Sequence, residues 1–240
     1  MFVGHYSVSY AGKRVTPSVP LWVLFLSVQF LDVLWGFFVL LGVERVRIVP
    51  GITATNPLDL YFMPYTHSLI GALAWSVVAA LLYRAWRGRT TGDKGPFMVA
   101  AAVFSHWPLD LLVHRPDLPL IGDRFKVGLG LWNMPALAFT LEAAFLAIGF
   151  SLYLRSTRPI ASAATAGPIV FVLLMLAVQA VTFFGAPPAS STAAAITALA
   201  AYATLAAVAG WLDGRRQPGS APARLCCIEY SILPGYTPPS

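Results

Sequence analysis

Within residues 105–117, SHWPLDLLVHRPD, the residues His106, Asp110 and His114 recur at every fourth position. On a helix of 3.6 residues per turn each such step drifts by only about 40°, so all three project from one face. Imidazole and carboxylate together suit a divalent ion such as Zn, Mn or Mg, and a helix with His-x-x-x-Asp offers two ligands at once. Pro108 lies between them, and its ring predicts a kinked local turn of the kind that lines a cavity.

The same chemistry recurs elsewhere in the first two-thirds of the chain. Asp32 lies in QFLDVLWGF, His67 opens the segment THSL, Glu142 lies in LAFTLEAAF, and His5 follows Gly4 near the start. Each sits in or beside an apolar stretch. A charged residue at the centre of a spanning helix costs on the order of 2.5–3.5 kcal/mol by insertion scales, so such residues mark sites by default. The competing reading is an interhelical hydrogen bond that only fixes packing. It weighs most for Glu142. For His114 the competing position is the membrane–water boundary.

The elements that must position these groups follow from composition. Apolar residues make up 58% of the 240 residues and charged residues 11%, against about 25% charged in an ordinary soluble domain. Too few charged side chains remain to cover a soluble surface. The chain is therefore read as an all-α polytopic transmembrane bundle. A spanning helix needs about 20 apolar residues. Six stretches come close: 19–41, 66–83, 97–113, 131–154, 169–184 and 192–212. Residues 2–12 are apolar but too short to span. They lie on the membrane surface or form a re-entrant half-helix that lifts His5 toward mid-membrane. At 1.5 Å per residue Asp32, His106 and Asp110 fall roughly 15–20 Å from the inner ends of their spans, so the candidates share one level.

Residues 1–158 are read as the membrane-embedded bundle carrying the site, 159–213 as two further spanning helices, and 214–240 as a disordered tail rich in Gly, Pro, Ser and Arg. If the first span runs outward, eleven Lys and Arg fall on the inner side and five on the outer, which predicts a cytoplasmic C-terminus. The net charge of +6 is then a topology signal, and nucleic acid is not expected as a partner. The adjacent Cys226 and Cys227 cannot build a disulfide framework.

Gly4-His5, Leu31-Asp32, Thr66-His67-Ser68-Leu69 and Ser105-His106 with Asp110 occur in that order. The set resembles a bacterial inner-membrane family of membrane-bound metal-dependent hydrolases, over roughly residues 1–155. A narrower group resembles it further in residues 105–119 and in GLGLWN, 128–133. The family's Pro-Asp-x-Asp-His is here FLDVLW, which keeps only Asp32, and its His-Arg-Gly before Thr-His-Ser is here Met63-Pro64-Tyr65. His114, Asp117 and Glu142 are the residues available to replace the missing groups.

The resemblance implies a divalent ion (Zn, Mn or Mg) on His5, His67, His106 and Asp110. Asp32 would be a further ligand or the base, and His114 or Glu142 would move protons. It implies a multi-pass inner-membrane protein acting on a lipid or lipid-linked ester or phosphoester, with membrane lipids as partners. Two other classes remain open: a proton- or cation-coupled transporter built on Asp32, Asp110, Glu142 and His106, and a non-catalytic scaffold whose polar residues only pack helices.

Overall fold

A computed structural model describes residues 1–88, 94–162 and 165–219. Its architecture is an all-α bundle of eight α-helices among those residues: α1 Tyr6–Val15, α2 Leu21–Val28, α3 Phe30–Leu40, α4 Leu69–Arg87, α5 Lys94–Val113, α6 Pro135–Ser156, α7 Ala166–Phe184 and α8 Ser191–Asp213. Five of them, α4 to α8, are long and apolar enough to cross a membrane. The pair α2 and α3, bent by 56° at Gln29, is long and apolar enough only when the two are taken together. The expected first span is thus a broken one. The two expected spans that looked short, 97–113 and 169–184, gain a few residues at their starts, as α5 and α7.

The distribution of side chains is inverted relative to a soluble protein. Leu81, Leu82, Val77, Val170, Leu173 and Val181 are exposed, whereas His5, Gln29, His67, His106, Asp110, Glu142 and Gln179 are buried. Lipid is as apolar as leucine, so helices gain little by hiding leucine from it. Packing and interhelical polar contacts hold the bundle instead.

The N-terminal segment takes the second of its two expected courses. A 3-10 turn, Val3–His5, leads into α1, and Val3, Gly4, His5, Tyr6, Ser9 and Tyr10 are buried. The half-helix runs from the interior to Lys13 and Arg14, and the chain turns at 16–20 into α2. Gly149 of α6 lets it approach: a Cβ there would stand 2.4 Å from the Ser7 carbonyl oxygen.

The two ends of the bundle differ. One collects Lys13 and Arg14, Arg84 and Arg87, Lys94, Arg155, and Arg215 and Arg216. There β3, Thr157–Pro159, pairs antiparallel with β4, Arg216–Pro218, and Asp213 accepts from both Lys13 Nζ (2.8 Å) and the Tyr153 hydroxyl (3.1 Å). The expected tail therefore begins with a paired strand. Arg89, Cys226, Cys227 and the rest of 220–240 lie outside the described residues.

The opposite end is a polar cap. It comprises the hairpin of β1, Arg45–Ile48, and β2, Leu58–Phe62, the loop 114–130, and a 3-10 turn, Leu131–Asn133. GLGLWN is the device that closes α5: Leu129 N–H donates to the Leu111 carbonyl (2.8 Å) and Gly130 N–H to that of His114 (2.7 Å). These bonds satisfy carbonyls orphaned at the helix end. Gly130 has φ +75°, and a Cβ on Gly128 would stand 2.1 Å from the Arg115 carbonyl oxygen, so both positions require glycine. The loop also caps α4, whose Leu69 and Ile70 N–H groups donate to the carbonyls of Pro119 and Leu120.

Candidate metal centre

Asp110 is the hub. Its Oδ2 stands 3.1 Å from His106 Nε2, 3.3 Å from His114 Nε2 and 3.8 Å from His67 Nε2. Asp32 completes this side, with Oδ1 3.2 Å from His67 Nε2 and 3.6 Å from His106 Nε2. The other oxygen of Asp110 faces the N-terminal turn: Oδ1 lies 3.1 Å from His5 Nε2 and 2.5 Å from the Met1 amine. The His5 and His106 rings stack at 4.0 Å between the two sides. The helical spacing read from 106, 110 and 114 therefore does what it predicts. Pro108 lies on the exposed side, and α5 runs unbroken through it.

Each histidine on the Oδ2 side has its Nδ1 committed outward. His106 Nδ1 stands 2.7 Å from the carbonyl of Val28, which the break between α2 and α3 presents. His114 Nδ1 stands 2.8 Å from Asp117 Oδ1. Both partners only accept, so both nitrogens carry protons. His67 Nδ1 stands 2.7 Å from Thr66 Oγ1, whose hydroxyl donates to Glu44 Oε2 at 2.6 Å, so this oxygen too accepts from the ring. A ring protonated at Nδ1 presents a lone pair at Nε2. Three Nε2 lone pairs therefore converge on carboxylate oxygens, acceptor against acceptor.

That arrangement needs a cation or protons at its centre. His106 Nε2 is buried and makes no hydrogen bond despite its 3.1 Å approach to Asp110. Donors held 2.0–2.2 Å from one ion stand roughly 3–4 Å from each other, which is the spacing seen here. Two compact groups meet this test, Asp32 with His67 and His106, and His5 with His106 and Asp110. Asp32 and Asp110 supply two negative charges, one of them shared with the Met1 amine, and the imidazole–carboxylate donor set fits a divalent ion. When no ion is bound, protons serve instead. His114, just beyond the end of α5, is opposed by burial, yet Asp110 and Asp117 outweigh that cost and hold its imidazolium above the ordinary histidine range.

An outer layer holds these groups in place. The carboxylate of Glu44, in the cap, accepts from the N–H groups of Tyr65 and Thr66, both at 2.9 Å. Ser68 accepts from Gly71 N–H at the start of α4, fixing the backbone that carries His67. Tyr202 of α8 donates to Asp32 Oδ2 at 2.8 Å, so the C-terminal helix pair reaches the site although it carries no motif. From the cap surface, Arg47 pairs with Asp59, Asp59 with Arg115, and Arg115 with Asp117, which holds His114.

The seven residues singled out in the sequence divide into three sets. Asp32, His67 and His106 form one compact group, and Asp110 adjoins it through His106 and reaches His114. His5 touches the far side of the hub. Glu142 is apart: its Oε2 accepts from the N–H groups of Phe2 (2.8 Å) and Gly4 (3.2 Å) and so anchors the turn that carries His5. Glu44 and Tyr202 are not marked by any motif, and Thr66 stands in the Thr-His-Ser-Leu segment only as the neighbour of His67. Glu44 carried the one available signal, an acid that is buried between an apolar helix and a strand.

The side chain of Asp32 is 17% exposed, whereas those of Asp110, His106 and His114 are 0–3% exposed, so Asp32 is the approach to the centre. A scan against protein-family models, a search of curated proteins and a search of solved structures each return no match.

Proposed function

We propose that this integral membrane protein is a divalent-metal-dependent hydrolase acting on a lipid or lipid-linked ester or phosphoester. One observation carries the reading: three buried histidines, each protonated outward at Nδ1, aim Nε2 at Asp32 and Asp110. Such outer hydrogen bonds orient metal-binding imidazoles and raise their basicity. A packing scaffold would hold the same groups as protonated imidazoles on carboxylates and would bind no metal, which metal analysis distinguishes.

His67, His106 and Asp110 would hold the ion, with Asp32 or His5 adding a further donor and His114 beside Asp110. The imidazoles favour Zn over Mn or Mg. A bound divalent ion supplies an acidified water and polarises the scissile oxygen. Asp32 is placed to take the proton: Tyr202 fixes Oδ2, Oδ1 faces the centre, and its side chain is the partly exposed one. His114, between Asp110 and Asp117, is the residue placed to hold a proton on the side of the cap. Residues buried at mid-bundle exclude bulk water from the reaction. The family resemblance supports the hydrolase class, and the excess of Lys and Arg at one end supports a bacterial inner-membrane location with that end in the cytoplasm.

The test combines metal analysis of protein purified in detergent with hydrolysis of fluorogenic lipid esters and phosphodiesters. About one metal per chain and turnover lost in Asp32→Asn are expected. Metal-free protein that cannot be loaded with Zn or Mn refutes the metal centre, and a loaded protein inert on all substrates refutes the hydrolase.

A further inference from the structure

A cleft of about 250 Å³ opens on the surface of the bundle, and none of the metal-centre residues lines it. Its walls are Ala11 and Val15 of α1, Ile148 and Leu152 of α6, and Met98 of α5. The lining is almost wholly apolar; Gly149 brings α1 against α6 at its floor, and a Cβ on Gly12 would press on the Met98 side chain.

Each of the three helices carries a cation near the basic end of the groove. Arg14 follows Ala11 by three residues, Arg155 follows Leu152 by three, and Lys94 precedes Met98 by four. Positions three and four apart share a face, so Lys94 and Arg155 lie one turn beyond the groove on the faces that line it, and Arg14 flanks the groove beside Val15. All three are exposed. None of them makes a hydrogen bond or ion pair among the described residues, in contrast to the neighbouring Lys13, which is bound to Asp213.

The geometry points to a binding site for one anionic phospholipid, with an acyl chain in the groove and the phosphate headgroup against Arg14, Lys94 and Arg155. Charge decides the occupant: an almost wholly apolar channel bordered by three unpaired cations complements a molecule with an apolar tail and an anionic head. Cations near an anionic lipid surface attract it over short range. The lipid would sit between α1 and its neighbours, so it would brace the half-helix that carries His5 at its inner end.

Native mass spectrometry of the full chain, released from detergent after incubation with phosphatidylglycerol or phosphatidylcholine, tests this. The parent is expected to retain one phosphatidylglycerol, with roughly tenfold preference over phosphatidylcholine. Arg14→Gln/Lys94→Gln/Arg155→Gln, a surface change that leaves the core intact, is expected to lose the preference. Ala11→Trp, which fills the groove, is expected to lose the lipid itself. Equal retention of both lipids by the parent overturns the site, as does a preference unchanged in the triple variant. So does a lipid-free dimer, which would show that a second copy covers the groove. Metal content is not part of the readout, so the outcome is separate from that of the metal centre.

Discussion

Replacing Thr66 by valine is expected to weaken divalent-metal binding by about 10- to 100-fold without unfolding the protein. Thr66 sits between two groups: its hydroxyl donates to Glu44 Oε2 at 2.6 Å and accepts from His67 Nδ1 at 2.7 Å. Valine has nearly the same shape and can do neither. His67 then loses the acceptor that fixes its tautomer, and Nε2 no longer has to present its lone pair toward Asp32 and Asp110. The expected loss corresponds to about 1.4–2.8 kcal/mol of binding free energy. Glu44 keeps its bonds from the N–H groups of Tyr65 and Thr66, so the cost to stability is that of the two buried hydrogen bonds to the hydroxyl, about 1–3 kcal/mol each. The two effects are measured apart. Metal-stripped protein is titrated with Zn against a chromogenic chelator, and thermal unfolding in detergent reports the fold. Thr66→Ser restores the hydroxyl and should bind like the parent. A valine variant that is folded and binds Zn as tightly as the parent would refute the assignment of His67 as an oriented ligand.

Other substitutions divide the site further. His106→Ala is expected to bring metal content from about one per chain to well below it, read by elemental analysis, because His106 belongs to both compact ligand groups. Tyr202→Phe should weaken metal loading severalfold through Asp32 in the same chelator titration, although the residue touches no ligand atom of the histidines. Glu142→Ala leaves the Phe2 and Gly4 N–H groups without their acceptor. It should lower stability by about 1–3 kcal/mol, seen in thermal unfolding. Metal binding should also release protons and weaken as pH falls from 8 to 6. The imidazoles must be unprotonated at Nε2 to bind, and Asp110 and Asp117 favour the proton on His114, so acid competes directly with metal. Titration in lightly buffered solution reads the proton release, and a pH-independent affinity would argue against histidine ligands.

The sequence reveals the parts whose signal is periodic. Apolar runs of about 20 residues mark the spans, and the fourfold spacing of His106, Asp110 and His114 foretells that they share a face. What stays hidden is whatever depends on a partner far along the chain. Nothing local in FLDVLW says that the helix breaks at Gln29, yet that break presents the Val28 carbonyl to His106. Tyr202 lies in an Ala-rich span that looks like filler, and its role appears only when α8 packs on α3. Glu142 shows another limit: an acid in an apolar helix invites a catalytic reading, and nothing local says that its Oε2 meets the backbone N–H groups of the N-terminal turn.

The bond from Tyr202 to Asp32 joins residues 170 apart. At synthesis rates of roughly 5–20 residues per second, the carboxylate emerges about 10–30 s before the hydroxyl that receives it. His67 follows it by 35 residues and His106 comes later still, so Asp32 meets its partners one at a time as the chain grows. During that interval α3 carries an incompletely matched charge and is expected to stay beside the insertion machinery rather than move into open lipid. A ribosome-stalled chain ending before α8 should therefore crosslink to that machinery through α3, and the crosslink should fade once residue 202 has entered the membrane.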